Sequence, residues 1–91
     1  MSQKHSRILH AILQGPAGGN IHWRDIESLL RHLGADIQAG HGARMRITLN
    51  GVEGTLHRPH HSSTYSKQDI HHLRDYLISA GVDMSALNGD G

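Results

Sequence analysis

Arg44-Met45-Arg46-Ile47-Thr48-Leu49-Asn50-Gly51-Val52-Glu53-Gly54-Thr55-Leu56-His57 decides how this chain folds. At its centre stands Asn50-Gly51, a pair that takes the positive φ angles of a type I′ turn and so matches the twist of flanking strands. If those two residues form the whole loop, Leu49 pairs with Val52, and the rest of the register follows. Thr48 then opposes Glu53, Arg46 opposes Thr55, and Arg44 opposes His57. Side chains alternate between faces along a strand. Met45, Ile47, Leu49, Val52 and Leu56 are therefore expected on one face, and Arg44, Arg46, Thr48, Glu53, Thr55 and His57 on the other. The two strands give this division independently, which supports the register.

Working outward, the hairpin consists of strands Ala43–Leu49 and Val52–His57, the second stopping before Pro59, which cannot donate to a ladder. A weaker strand, Ala35–Ala39, is centred on Ile37 and joined to the hairpin by the turn Gly40-His41-Gly42. Upstream, Trp23, Ile26, Leu29, Leu30 and Leu33 mark the apolar face of a helix from Trp23 to Leu33, with Arg24, Asp25, Glu27 and Arg31 towards water. Gly34 follows as a left-handed C-cap. Downstream, Ser66-Lys67-Gln68-Asp69 has the form of a capping box with Asp in place of Glu. The helix it opens carries Ile70, Leu73, Leu77 and Ile78 on its apolar stripe and ends at Gly81. A further helix over residues 6–14 aligns Ile8, Leu9, Ile12 and Leu13, before Gly15-Pro16-Ala17-Gly18-Gly19 breaks the pattern as a hinge.

The order is α-α-β-β-β-α: an α+β domain with a three-stranded antiparallel sheet whose helices pack on one face. Residues 1–19 form an N-terminal helix and linker, an appendage to the domain at 20–82, and residues 83–91 form a flexible tail. The length of 91 residues suits one core. With one Trp, two Tyr and no Phe, that core must be built mainly from Ile, Leu, Val and Met. The chain has no Cys, so disulfides and thiolate metal sites are excluded. No apolar run is long enough to cross a bilayer, and Met1-Ser2-Gln3-Lys4-His5 lacks the apolar core of a secretory signal. A cytoplasmic protein without a membrane partner is expected.

A formal net charge of +1 does not by itself argue for nucleic acid. Ten histidines in so short a chain are the distinguishing feature. Most are expected on the solvated surface, His71 and His72 among them, because both fall off the apolar stripe of their helix. The exception is the hairpin face that the helices leave bare. There Arg44 and Arg46 can hold phosphate oxygens through bidentate hydrogen bonds, and His57 can accept the proton of a ribose 2′-hydroxyl. An ordinary mixed-charge sheet face, with Arg46 and Glu53 as a diagonal pair, is the alternative. His57-Arg58-Pro59-His60-His61 brings three imidazoles within five residues, but no carboxylate stands at ligand spacing and Pro59 extends the backbone. That stretch reads as a phosphate-contacting loop, with Arg58 among its contacts; no metal and no cofactor is expected.

Asn20 to Leu30, Leu33-Gly34-Ala35, Gly42-Ala43-Arg44, His57-Arg58-Pro59-His60 and the helix ending Ser79-Ala80-Gly81 together resemble the HicA toxins. The likeness covers about residues 20–82, and the extra N-terminal helix with the His-Arg-Pro-His stretch resembles a longer subgroup of that family. The resemblance implies a fold similar to the double-stranded-RNA-binding domain. It also implies a metal-independent mRNA endoribonuclease, the toxin of a toxin–antitoxin pair, with mRNA as substrate and a HicB-like antitoxin as partner. The family's Gly-Ser-His, which supplies a catalytic histidine, corresponds here to Gly42-Ala43-Arg44. Arginine stays protonated at any working pH and cannot serve as a general base. Two alternatives follow. Either His57, across the ladder from Arg44, has taken the base role with His41 or His60 as acid, or the domain binds RNA or its antitoxin without catalysis.

Overall fold

The computed structural model describes residues 3–14, 21–59 and 63–83. Eight elements follow in order: α1 (Gln3–Gln14), β1 (Ile21–His22), α2 (Trp23–His32), β2 (Asp36–Ala39), β3 (Arg44–Leu49), β4 (Val52–His57), β5 (Thr64–Tyr65) and α3 (Lys67–Ser79). β2, β3 and β4 form an antiparallel meander with β3 in the centre. The result is a small α+β domain of three helices and a three-stranded antiparallel sheet.

The hairpin turns where its sequence requires. Asn50 and Gly51 both take positive φ, 54° and 81°. Leu49 pairs with Val52, Met45 with Leu56, Arg46 with Thr55, and Arg44 with His57. Met45, Ile47, Leu49 and Leu56 are buried beneath the helices, whereas Arg44, Arg46, Glu53, Thr55 and His57 are exposed. Asn50 adds a tether of its own, donating from Nδ2 to the Ala80 carbonyl at 2.8 Å beyond the end of α3.

α2 buries Trp23, Ile26, Leu29 and Leu30, and Gly34 leaves it at φ 98°. The Ala35 amide still bonds back to the Leu30 carbonyl at 2.9 Å, so β2 begins one residue later than the pattern suggests. α3 starts at the expected capping box. The Ser66 hydroxyl accepts from the Asp69 amide at 3.2 Å, and Asp69 reaches back to the Ser66 amide.

Three expectations are corrected. The N-terminal helix is no appendage: Leu9 and Ile12 are fully buried, Ile8 nearly so, and α1 packs against both α2 and α3. It shares one hydrophobic core with the elements at 20–82, so the division at residue 19 does not hold for the core. On α3, Ile78 is 58% exposed, and Tyr76 takes the place foreseen for it in the core. The third concerns the segment between Pro59 and α3. There β5 pairs antiparallel with β1, setting Ile21 against Tyr65, and Trp23 stacks on Tyr65 with ring centroids 5.4 Å apart. The Trp23 amide donates to the Ser63 carbonyl at 2.7 Å. This clasp holds the first turns of α2 and α3 together. The hinge at 15–19 and the tail from Met84 lie outside the described residues.

Among the described residues, no helix is long and apolar enough to cross a membrane.

Candidate functional site

The hairpin ladder determines which groups of β4 point where. The Arg58 amide donates to the Ala43 carbonyl at 2.8 Å, so 43 and 58 form a hydrogen-bonded position. The next pair along, Arg44 and His57, is then a non-hydrogen-bonded one. In such pairs the side chains stand closest, with Cβ atoms about 4.5–5.5 Å apart. The same alternation turns the carbonyls of Thr55 and His57 away from β3, out of the open edge of the sheet. Both are covered by side chains. His72 contacts the Thr55 carbonyl through Nε2 at 3.2 Å, and the Tyr65 hydroxyl donates to the His57 carbonyl. Tyr65 thereby anchors the backbone of His57 from the β1–β5 clasp. Burial pushes the Tyr65 phenol well above its usual range, so it remains a donor.

α3 crosses β4 closely because residue 54 is glycine. A Cβ there would lie 2.6 Å from Cδ1 and Cε1 of Tyr76, inside any tolerable contact. The Tyr76 ring occupies that space, and its hydroxyl donates to the Val52 carbonyl at 2.7 Å. Burial raises the Tyr76 phenol too.

Between this crossing and the hairpin opens a cleft of about 570 Å³, lined by Arg44, Gly54, Thr55, His57, His72, Asp75, Tyr76 and Ser79. The helical wall is a single face: His72, Asp75, Tyr76 and Ser79 stand at i, i+3, i+4 and i+7. A carbonyl can only accept, so the His72 Nε2 in contact with Thr55 carries the hydrogen, and Nδ1 is the other ring nitrogen. Arg74 donates to His71 Nδ1, and His71 Nε2 lies 3.6 Å from Asp75 Oδ2.

The residues singled out from the sequence divide as follows. Arg44 and His57 face each other on the bare side of the sheet and both line the cleft. Arg46 shares their face but stands 3.7 Å from the Glu53 carboxylate, with both side chains 65% exposed. Asp36 and Gln38, opposite Thr48 and Arg46 on β2, belong to the same face, and Gln38 donates to Asp36 at 3.1 Å. The face is therefore of mixed charge. Arg58 leaves this group: its guanidinium lies 3.9 Å from the sulfur of Met45, a residue of the helix side. His41 is exposed in its turn, where its carbonyl accepts from the Arg44 amide at 3.1 Å, and it does not line the cleft. His60 lies outside the described residues. Among the described residues no group of three or more His, Asp or Glu side chains is gathered as a metal site.

His72, foreseen only as a solvated side chain, is exposed yet bonded to β4. It and Asp75, Tyr76 and Ser79 are the residues the sequence reading missed. Their i, i+3, i+4, i+7 spacing was the available signal.

Comparison of the chain with family models, with curated proteins and with solved structures gives no match.

Proposed function

We propose that this chain is an RNA-cleaving toxin of the HicA type, with a fold like the double-stranded-RNA-binding domain. It acts in the cytoplasm on mRNA without a metal, and a HicB-like antitoxin holds it inactive. The observation that carries the reading is the Arg44–His57 pair, set in a non-hydrogen-bonded ladder position at the mouth of a cleft. Cleavage by a neighbouring 2′-hydroxyl needs a base for that hydroxyl and a cation for the charge that grows on the phosphate. His57 supplies the first. Arg44, which makes no ion pair among the described residues, supplies the second through its fixed fork of donors.

The mixed charge of the face supports a second reading, in which it is a docking surface without catalysis. Glu53 and Asp36 stand among the arginines, which suits a protein partner better than a uniform polyanion.

Purified wild-type protein incubated with RNA in excess chelator tests both. Cleavage that is lost in His57→Ala and in Arg44→Glu supports the toxin. Intact RNA with the wild-type protein, together with tight capture of an acidic partner, supports docking alone.

A further inference from the structure

We propose that His72 is the general acid of this reaction, giving a proton to the leaving 5′-oxygen from the α3 side of the cleft. The inference rests on the function proposed above and adds the second proton-transfer group that the reaction requires.

Two imidazoles line the cleft, His57 from β4 and His72 from α3, with Arg44 beside the first. His72 is held by its contact with the Thr55 carbonyl. Thr55 and His57 are two residues apart on one strand, a separation of about 7 Å. That spacing of the two anchor points suits a phosphodiester lying along β4, with its 2′-hydroxyl towards His57 and its 5′-oxygen towards His72. Because Nε2 of His72 is committed to a backbone carbonyl, Nδ1 is the nitrogen that exchanges a proton with substrate. Asp75, the carboxylate in this wall, is turned towards His71 at 3.6 Å. Of the two imidazoles expected as the acid, His41 lies in its exposed turn and forms no part of the wall, and His60 lies outside the described residues.

The step balances without water or metal. His57 takes the proton of the 2′-hydroxyl as the 2′-oxygen bonds to phosphorus. The bond from phosphorus to the 5′-oxygen breaks, and protonated His72 gives its Nδ1 proton to that oxygen. The products are a 2′,3′-cyclic phosphate and a 5′-hydroxyl, leaving His57 protonated and His72 neutral.

The test compares two substrates that differ only in need of an acid. A dinucleotide has a poor leaving group, whereas uridine 3′-(4-nitrophenyl phosphate) has one that departs without a proton. His72→Ala and His72→Gln are measured beside wild type and His57→Ala; glutamine keeps a donor for the Thr55 carbonyl but cannot carry the proton. General acid catalysis is worth about 10²–10⁴-fold. Both His72 variants should lose a factor of that size on the dinucleotide while cleaving the nitrophenyl ester within about threefold of wild type. His57→Ala should lose both activities. Equal losses on the two substrates would make His72 a structural residue and overturn the proposal, as would full activity of His72→Ala on the dinucleotide. Cleavage of neither substrate by wild type removes the proposed function itself, and this inference with it.

Discussion

Gly54→Ala is the smallest change that reaches both the packing and the cleft. The new methyl would meet two ring carbons of Tyr76 at 2.6 Å, where ordinary contact begins at 3.4 Å. The ring borders the cleft, but moving it there would break the contacts that hold it. Its hydroxyl is held by the Val52 carbonyl at 2.7 Å, and Leu73 and Leu77 on either side of it along α3 are fully buried. Overpacking of this kind costs about 1–3 kcal/mol, and losing the hydroxyl's bond adds about 1 kcal/mol. Against this, alanine inside a regular element is favoured over glycine by about 0.5–1 kcal/mol. The two contributions differ in sign, so the sign of the change decides. Urea denaturation should show Gly54→Ala less stable by about 1–3 kcal/mol, with Tm lower by about 5–20 °C. In a Tyr76→Leu background the same substitution should cost at least 1 kcal/mol less, a coupling typical of residues in contact. A Gly54→Ala protein as stable as wild type would refute the close crossing of α3 over β4, and with it the shape of the cleft.

Three further outcomes follow from the packing. Leu9→Ala should cost about 2–5 kcal/mol, as expected for a fully buried leucine, because α1 belongs to the shared core; a change under 0.5 kcal/mol by urea titration would return α1 to an appendage. Asn50→Ala should lose about 2 kcal/mol through the positive φ and the bond to Ala80, whereas Asn50→Gly, which keeps the turn, should lose about 1 kcal/mol; equal losses would mean the turn conformation carries no cost. The third concerns acid. His5 of α1 bonds to Ser28 at 2.8 Å, packs its ring at a tilt against His32 with centroids 4.7 Å apart, and has a buried Nδ1 without a partner among the described residues. Burial first, then His32 and Lys4, hold its imidazole below the ordinary value of 6.5, with Asp25 opposing. The unfolded chain therefore takes up this proton before the folded one does. Stability from this contact is complete above pH 6.5 and falls as pH drops below it, and His5→Gln should flatten that slope in denaturation measured from pH 7.5 to 5.

The hairpin was legible because a single dipeptide set its register, and a slip of one residue would have exchanged Met45 and Ile47 for Arg44 and Arg46 in the core. The capping box at Ser66 was legible for a similar reason: it is chemistry between neighbours. What escaped depends on partners distant in sequence. The stripe Ile8, Leu9 and Ile12 was visible, but nothing local says that α2 and α3 receive it. Two residues cannot display a strand period, so β1 and β5 left no trace.

Tyr76 was recoverable by helix geometry. It stands about 90° from the centre of the Ile70–Leu73–Leu77 stripe, against about 110° for Ile78. Gly54 within a strand was the matching signal of close approach. Of the candidate site, the Arg44–His57 pairing was readable from the turn. The helical wall was not found, because His72 alone looks like any solvated imidazole until Asp75, Tyr76 and Ser79 are counted on its face.

Everything functional rests on His57 acting on a ribose 2′-hydroxyl beside Arg44. The direct measurement is the chemistry of the cut ends left on an RNA oligonucleotide by purified protein in the presence of chelator. Cyclic 2′,3′-phosphate and 5′-hydroxyl ends with wild type, and an uncut strand with His57→Ala, are the predicted result. Intact RNA with wild type, or 5′-phosphate ends that appear only when magnesium is supplied, would contradict it.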